Sequence, residues 1–445
     1  MKHFFIIILA FQSALAVTRT QVFSGTELQA AIDRGDDAVI ELGANLALNA
    51  TIVVNKTTVL LEGRGFILDG QGLVGCLYVL GGAQLALHNL TISNGTAANG
   101  GGVLVSEAST VNATAVHINA NTATGYGGGV YIIDEGSSFT LDQGSISRND
   151  AHSGGGIDLE KGSSVALSNC DVQYNTVIHG GGGVLVYGGV AKLVNCTSSH
   201  NRADYGGGLY LHGGIASFFG CSVMHNRAAT YGGGINVVSS GEVTMSDSSV
   251  AFNTASRAGG GIWTTGAVFT VHSSNVTHNR AEGASGGGLF ISSKTAFNAT
   301  DMNVEANEVS GSVSFVNVTK GNCFVKGNCF YSPNYPLDYA KGDVCEFVVL
   351  SDTVLYAVEF DTVTGADFLT IDGTFYSGTQ GPSDVGVSAG STIAFVTHDG
   401  NAVASGFGVC QSANGNTHSL NLSSVHFSLN ARIPTYFSNR RGALC

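Results

Sequence analysis

The stretch HNRADYGGGL at residues 200–209 returns as HNRAATYGGGI at residues 225–235. Its central phrase, a glycine triplet followed by a branched apolar residue, occurs eight times at steps of 25 to 27 residues. The triplets begin at Gly100, Gly127, Gly154, Gly181, Gly206, Gly232, Gly259 and Gly286. A fixed period of this length is typical of one supersecondary unit stacked on copies of itself. Such an array favours an extended binding surface over a deep catalytic pocket.

An asparagine keeps the same period a few residues before each triplet. These asparagines are Asn94, Asn121, Asn149, Asn175, Asn201, Asn226, Asn253 and Asn279. We expect each of them to adopt the left-handed conformation that bends the chain between strands, and their amides to form a ladder along the stack. Glycines at the next corner permit positive φ and let the backbones of successive coils approach closely.

The residues after each triplet alternate between inward and outward positions. The inward columns, which begin with Val103 and Val105, are almost entirely apolar, as the core face of a strand should be. Further short strands fit into each period, so the repeat predicts a parallel β-helix of about eleven coils. A capping-box start at Ser24 to Glu27 predicts a short helix, with Leu28 to Ile32 covering the first coil.

The residues between the two core columns form what we call the outward column. It comprises Leu104, Tyr131, Asp158, Leu185, Tyr210, Asn236, Trp263 and Phe290. Solvent-facing stripes this apolar are rare on monomers, and aromatic faces stack on sugar rings and anchor protein contacts. We therefore predict ligand binding by Tyr131, Leu185, Tyr210, Trp263 and Phe290. The alternatives are that a returning segment, such as residues 412–445, covers the stripe, or that the stripe has no role.

The N-terminus and the sequons point to export. Lys2 and His3, an apolar run and a small-residue site ending at Ala16 predict a signal peptide over residues 1–16. We expect a secreted, extracellular or cell-surface protein without a transmembrane anchor in this chain, because no later run reaches about 18 apolar residues. Ten sequons predict glycosylation: Asn49, Asn55, Asn89, Asn94, Asn112, Asn195, Asn275, Asn298, Asn317 and Asn421. A net charge of −13 without a basic stripe excludes nucleic acid as a partner.

The repeats resemble the right-handed parallel β-helix group, often called pectate-lyase-like or pectin-lyase-like. The two HNRA phrases, together with Phe252 to Ala255 and Gly259 to Ile262, also look like the polymorphic outer-membrane protein repeat, which couples an aromatic-x-Asn phrase to a Gly-Gly-apolar phrase. The resemblance covers about residues 85–310. It implies a right-handed, surface-displayed and often adhesive protein, with a β-helix domain over residues 17–310 that includes its capping helix.

A second resemblance begins at Cys323. The string Ser332-Pro333-Asn334-Tyr335-Pro336, followed by Asp367 to Gly373, looks like a CUB domain, a small β-sandwich that binds proteins or carbohydrates outside cells. The resemblance implies a CUB-like domain over residues 320–411, with a disulfide between Cys323 and Cys345 and an additional bridge between Cys329 and Cys410. Residues 412–445 again resemble a coil, so either the CUB-like domain is inserted between coils or the chain is a truncated product of a longer array.

The calcium-binding members of the CUB family suggest one cofactor. Asp367 and Asp399 match their two aspartates, but the segment Thr362-Val363-Thr364 lacks the glutamate that these members also use. We therefore expect no cofactor, with calcium as the alternative and ordinary turn aspartates as the favoured interpretation.

The remaining cysteines are ambiguous. Cys170, Cys196 and Cys221 occupy the same place in consecutive coils, about 4.8 Å apart, which a disulfide tolerates. A column of small turn residues is the favoured alternative, because Ser248 and Ser274 continue the series. Cys76 and Cys445 have no evident partner.

The β-helix group also contains enzymes. Its polysaccharide lyases and glycoside hydrolases need convergent carboxylates, and the best cluster here is Asp134, Asp158, Glu160 and Lys161, in which Asp134 and Lys161 read as a cross-strand ion pair. His200 and His225 could form a pH-sensitive or metal-binding pair, although Tyr174 and Phe252 in the same column favour packing. We favour a non-enzymatic adhesion or recognition protein for glycans or proteins. The alternatives are a polysaccharide lyase or glycoside hydrolase, and a structural wall or coat protein.

Overall fold

The computed structural model describes residues 19–35, 39–160, 162–283, 286–292, 295–309, 315–326, 329–350, 352–398, 404–412 and 435–437. The predicted signal peptide, Lys161, Asp399, Asn421 and Cys445 lie outside these residues, as does nearly all of 412–445. The described chain is all-β apart from the helix Gly25–Arg34. No helix within it has the length and apolar character needed to cross a membrane.

Three parallel sheets build the β-helix. Sheet B contains Ile52–Asn55 and Leu77–Leu80, and then the eight strands that follow the glycine triplets: Val103–Val105, Val130–Ile132, Ile157–Glu160, Val184–Tyr187, Leu209–His212, Ile235–Val238, Ile262–Thr264 and Leu289–Ile291. Sheet C contains Thr96–Ala97, Thr122–Ala123, Asp150–Ala151, Thr176–Val177, Arg202–Tyr205, Arg227–Tyr231, Thr254–Ala255, Arg280–Ala281 and Glu308–Val309. Within the described residues, the ten parallel strands of sheet B correspond to about ten turns, in agreement with the expected number of about eleven.

Sheet A is the largest and bends at a corner within each coil. Its strands are Arg19–Val22, Val39–Leu42, Leu46–Ala47, Thr58–Glu62, Ile67–Asp69, Gln84–Ser93, Thr110–Asn119, Ser138–Asp142, Ser145–Ser147, Ser164–Ser168, Asp171–Gln173, Val190–Val194, Thr197–Ser199, Ile215–Phe219, Ser222–Met224, Glu242–Ser246, Ser249–Ala251, Val268–His272, Asn275–Thr277, Ala296–Thr300 and Asn303–Glu305. The predicted right-handed β-helix architecture is confirmed.

The sequence columns stack residue over residue. Val103 pairs with Val130, and the outward residues Leu104 and Tyr131 pair beside them. Both core columns are fully buried along the stack, and they pack against the inward residues of sheet A in one continuous core. The predicted register therefore holds along the coils, because one apolar position in each period must meet the same core.

The N-terminal helix starts and stops where the local chemistry dictates. Ser24 caps it by accepting a hydrogen bond from the Glu27 amide at 3.2 Å, and Gly35 ends it in the left-handed conformation at φ 68°. Its buried face includes Leu28 and Ile32, which join the same core as the coils. The helix Gly25–Arg34 thus includes the whole predicted segment, Leu28 to Ile32.

The asparagine ladder lies inside the corner between sheets A and C. It consists of Asn121, Asn149, Asn175, Asn201, Asn226, Asn253, Asn279 and Asn307, all of them buried. Each Nδ2 donates to the Oδ1 of the next asparagine at 2.9–3.0 Å. Each of those Oδ1 atoms also accepts the backbone N–H of the preceding asparagine. The ladder therefore satisfies buried groups that the bend removes from the sheets.

Two expectations about this corner were wrong. The left-handed residue is not the ladder asparagine but the residue before it, as His200 (φ 55°) and Phe252 (φ 56°) show. Asn94 is itself such a left-handed residue, and Gly95 takes the ladder position by donating its N–H to Asn121. The bend therefore falls one residue before the ladder asparagine.

The stacked cysteines form a column of small turn residues. Cys170, Cys196 and Cys221 are buried free thiols. The Cys196 amide donates to Cys221 Sγ at 3.4 Å, and the Cys221 amide donates to Ser248 Oγ at 3.0 Å in the same manner. Thiol and hydroxyl thus perform one hydrogen-bonding role, and the small-residue interpretation is confirmed.

The C-terminal region forms two antiparallel five-stranded sheets. One contains Val316–Lys320, Val344–Val349, Phe368–Ile371, Thr374–Tyr376 and Thr392–Val396, and the other contains Phe324–Lys326, Cys329–Tyr331, Thr353–Asp361, Val385–Val387 and Gly406–Ser412. The disulfides Cys323–Cys345 and Cys329–Cys410 are both present, as the resemblance implied. Thr435–Phe437 pairs antiparallel with Leu289–Ile291, so this piece of the last segment extends sheet B at its edge.

Candidate functional site

The glycine triplet brings each corner down onto the outward column. Gly154 has φ 60°, and a Cβ atom there would lie 2.4 Å from the Asp158 Cβ. Gly181 has φ 69°, and a Cβ there would lie 2.7 Å from the Leu185 backbone. Only glycine permits both the left-handed turn and this approach. The residues just before each triplet therefore stand as a wall beside the outward column, which forms the floor.

This geometry changes the surface expected from sequence. Tyr131 is only 5% exposed and Leu185 only 6%, so these two predicted binding residues are buried. Tyr210, Trp263 and Phe290 are half-buried. The outward column is a partly covered floor rather than a flat exposed flank, because the corners close over it.

Aromatic rings line the junction of wall and floor. Tyr126 stacks on Tyr131 with ring centroids 5.7 Å apart, and Tyr231 stacks on Trp263 at 4.9 Å. We call this line of rings the aromatic seam; it comprises Tyr126, Tyr131, Tyr205, Tyr210, Tyr231, Trp263 and Phe290. Tyr205 contacts Tyr210 at 6.0 Å and Tyr231 at 6.2 Å, and Trp263 continues to Phe290 at 6.0 Å.

Sequence reasoning missed the wall half of the seam. Tyr126, Tyr205 and Tyr231 each precede a glycine triplet directly, and that Tyr-Gly-Gly-Gly phrase was the available signal. Tyr126 is 41% exposed, so the seam reaches solvent there. Its rings are held in place from two sides, which preorganises them for contact with a flat ligand.

Asp158 lies in the floor of the seam without a partner. Its side chain is fully buried, and neither carboxyl oxygen has a hydrogen-bond partner. It is flanked in register by Tyr131 and Leu185. Burial, with a contribution from the charge of Glu160, raises the pKa of Asp158 well above its ordinary value. The carboxyl group is therefore held in its neutral form more readily than an ordinary aspartate.

The other members of the predicted acidic cluster are spread out. Glu160 follows Asp158 on the same face of the strand and is half-buried. Asp134 is exposed in a turn, where it accepts a hydrogen bond from the Glu107 amide at 3.1 Å. Burial first, then the charges of Glu160, Asp158 and Asp134, raise the pKa of Tyr131. The partner predicted for Asp134, Lys161, lies outside the described residues.

A second aromatic line runs along the corner between sheets A and C. Its rings are Tyr174, His200, His225, Phe252 and His278, stacked with centroids 4.8–5.2 Å apart. Each ring stacks face to face on its neighbours, so only the ring edges point outward. This stacking supports the packing interpretation of His200 and His225. Among the described residues no cluster of three or more histidine, cysteine or acidic side chains could hold a metal ion.

The predicted glycosylation sites lie away from the aromatic seam. Of the described sequons along the coils from residue 75 to 309, all lie on sheet A strands or at the corners beside them: Asn89, Asn94, Asn112, Asn195, Asn275 and Asn298. All are exposed except Asn112, which is half-buried. Asn49, Asn55 and Asn317 are exposed elsewhere. Glycans at the six sites would therefore stand on sheet A and leave the seam open.

Asp367, the described half of the proposed calcium pair, is fully engaged by protein. Its Oδ2 accepts from the Tyr339 hydroxyl at 2.6 Å, and its Oδ1 accepts from the His398 amide at 2.8 Å and lies 2.7 Å from His398 Nδ1. Burial raises the pKa of Asp367, but these hydrogen bonds outweigh it and lower the pKa overall. Both oxygens of Asp367 thus have hydrogen-bond partners within the protein, and Asp399 lies outside the described residues, so the calcium alternative stays a prediction.

Comparison with known proteins identifies the fold. A family model described as "Right handed beta helix region" matches residues 75–250, less than half of the chain. No curated protein matches the sequence.

Three solved structures are similar in outline. The enzymatically active domain of tailspike protein 4 of bacteriophage CBA120 is 9% identical, with a TM-score of 0.39 over 87% of this chain. The match spans 65% of that tailspike chain, just under two thirds. The SRRP of L. reuteri 53608 is 14% identical, with a TM-score of 0.31, and the match covers 65% of this chain and 99% of that one. ORF18 of Geobacillus virus E2 is 10% identical, with a TM-score of 0.35, and the match covers 94% of this chain and 82% of that one. Similarities this weak carry no argument about function.

Proposed function

We propose that this protein is a secreted or cell-surface, non-enzymatic recognition protein that binds extracellular glycans or proteins along the aromatic seam. The observation that carries the proposal is the unbroken line of half-buried rings that runs along the seam from Tyr205 to Phe290. Rings that are already ordered cost little further entropy on binding, and Tyr and Trp supply large apolar faces with polar edges. The sequons on sheet A support the same surface, because glycosylation there leaves the seam uncovered.

The test is a glycan array and a pull-down with one variant of the aromatic seam and one matched control variant. The double variant Trp263→Ala and Tyr210→Ala removes two rings of the seam. Phe219→Ala removes a 53% exposed ring from sheet A, away from the seam. Anchor residues of this kind contribute at least about 2 kcal/mol, so we expect the seam variant to lose roughly thirtyfold or more in affinity and the control to bind as wild type. Equal binding by all three proteins would remove the seam from the proposal.

We propose that the C-terminal region is a CUB-like module that contributes to recognition. Its two antiparallel sheets, its two disulfides and the Ser332 to Pro336 string support this assignment. Phe375 is 67% exposed and Leu337 72% exposed, and such side chains are candidates for contacts with a partner. A double variant Phe375→Ala and Leu337→Ala that binds every array and pull-down ligand like wild type would argue against a binding role there.

A second candidate function, glycoside hydrolysis, is favoured by one observation. Asp158 has the raised pKa that a general acid needs, and Glu160 lies two residues further along the same face. Their Cα atoms lie about 6.7 Å apart along the strand, and glycoside hydrolases need two carboxyl groups on one face of the substrate site. Incubation with plant and algal polysaccharides distinguishes recognition from hydrolysis. If wild type produces new reducing ends and Asp158→Ala does not, the protein is an enzyme rather than a recognition protein.

A further inference from the structure

Two polar side chains are buried without full partners in the floor of the seam. Asp158 is fully buried and neither of its carboxyl oxygens has a hydrogen-bond partner. Asn236 is 1% exposed and its Oδ1 has no partner, while its Nδ2 reaches the Tyr231 carbonyl only at 3.4 Å. A buried polar atom left unpaired costs stability, and such atoms are rare in native proteins. These unpaired atoms lie in the floor of the seam, where a bound ligand would supply the missing hydrogen-bond partners.

The two side chains share one column at a fixed spacing. Asp158 pairs in register with Leu185, Leu185 with Tyr210, and Tyr210 with Asn236. Three steps of about 4.8 Å separate the polar groups by about 14 Å. Leu185 and Tyr210 form an apolar platform between them, and Trp263 follows beyond Asn236.

This pattern specifies the chemistry of a ligand. Unpaired carboxyl and amide oxygens call for hydroxyl groups, and an uncharged carboxyl both donates and accepts hydrogen bonds. A carboxylate-bearing ligand at Asp158 would approach Glu160 on the same strand and Asp134 in the turn of the neighbouring coil, in a chain whose net charge is −13. Like charges at close range oppose binding, so an acidic polysaccharide is disfavoured.

We propose that the seam binds a neutral linear polysaccharide lying along the axis of the coils, with hydroxyls of two separated sugar residues hydrogen-bonded to Asp158 and Asn236. The proposal rests on the recognition function proposed above and adds the ligand class, its direction and its two polar anchors. Both anchors are buried in the free protein, so a ligand reaches them only when the side chains that cover them move aside.

The experiment measures binding of neutral glucan, mannan and galactan oligosaccharides and of galacturonan oligosaccharides, each in increasing length. Affinity for at least one neutral series should rise with length until the oligomer spans both anchors, and then level off. Asp158→Leu and Asn236→Leu should each weaken that binding about tenfold or more, because a ligand hydroxyl then loses its partner. Both variants should fold, since each removes a buried unpaired polar atom.

Thr264→Val is the matched control. Thr264 also carries a buried hydroxyl without a partner, but it lies in the inward column, where it pairs with Val237 and Ile291. Its replacement should leave oligosaccharide binding unchanged. Thermal unfolding of every variant reports folding independently of binding.

The outcomes separate the two proposals. Binding that is lost in Trp263→Ala but retained in Asp158→Leu and Asn236→Leu overturns the anchor assignment and leaves the recognition function standing. Tighter binding of galacturonan than of any neutral series overturns the ligand class. Release of shorter products overturns binding in favour of catalysis, and no binding of any oligosaccharide by wild type removes the glycan-recognition function itself.

Discussion

Replacing Asn201 with alanine should break the asparagine ladder at its middle. The Asn201 Oδ1 accepts hydrogen bonds from both the amide and the Nδ2 of Asn175, each at 3.0 Å. Its own Nδ2 donates to Asn226 Oδ1 at 3.0 Å and to the Val172 carbonyl at 2.9 Å. The residue is 1% exposed, so no water is positioned to replace these partners.

The size of the effect follows from the groups left behind. Two donors of Asn175, its amide N–H and one Nδ2 hydrogen, lose their acceptor in a buried site, at about 1–3 kcal/mol each. Two acceptors, Asn226 Oδ1 and the Val172 carbonyl, each lose one donor; Asn226 Oδ1 keeps the Asn201 amide. We therefore expect Asn201→Ala to lower the free energy of unfolding by about 4 kcal/mol. Asn303→Ala, at an exposed strand position, should change it by less than about 0.5 kcal/mol.

Urea unfolding followed by circular dichroism and by fluorescence gives the measurement. The chain has one tryptophan, Trp263, which reports on coils beyond the ladder break. Hydrogen exchange adds a local readout, because the Asn175 amide should lose its protection first while amides several coils away keep theirs. A loss below about 1 kcal/mol with an unchanged Asn175 amide would show that the ladder is not a source of stability.

Three further predictions concern the seam, the corners and the C-terminal region. The folded chain holds a proton on Asp158 that the unfolded chain releases near pH 3.9, so stability should fall as pH rises between the two pKa values, by up to about 1.4 kcal/mol per pH unit. Asp158→Asn should remove this fall; identical pH profiles for the two proteins would contradict the burial argument. Gly182→Ala places a Cβ 2.6 Å from a backbone oxygen of the next coil and should cost about 1–3 kcal/mol in urea unfolding, whereas the unobstructed Gly386→Ala should cost almost nothing. Because both Asp367 oxygens are already hydrogen-bonded, adding calcium or a chelator should leave the melting temperature unchanged, and a rise with calcium would refute that assignment.

The register of the coils was predictable residue by residue because the repeat is nearly constant in length. Val103 over Val130, and Leu104 over Tyr131, follow directly from the spacing of the triplets. The residue that takes the left-handed conformation is not predictable in the same way, because a periodic asparagine marks the turn but not which of its residues bends. The sequence pattern predicts the length of the repeat and which side chains are polar. The backbone angles at a corner depend instead on the hydrogen bonds formed there.

The surface of the candidate site was less predictable than its register. Tyr131 and Trp263 occupy equivalent positions in sequence, yet one is buried and the other half-buried. Their exposure depends on how the preceding corner folds over sheet B, and those corners vary in length from coil to coil. Asp158 shows the same limit: its residue type suggested chemistry, but only the structure reveals that it is buried and unpaired.

The uniform joint between neighbouring coils has an evolutionary consequence. Each regular coil between residues 121 and 288 presents the same asparagine, the same glycines and the same apolar columns to its neighbours. Deleting or duplicating one whole unit would therefore leave every new joint matched, with only the two ends needing special protection. Natural length variants of this chain should accordingly differ by whole units of about 26 residues rather than by arbitrary insertions, and the span of ligand that the surface accommodates would change in the same steps.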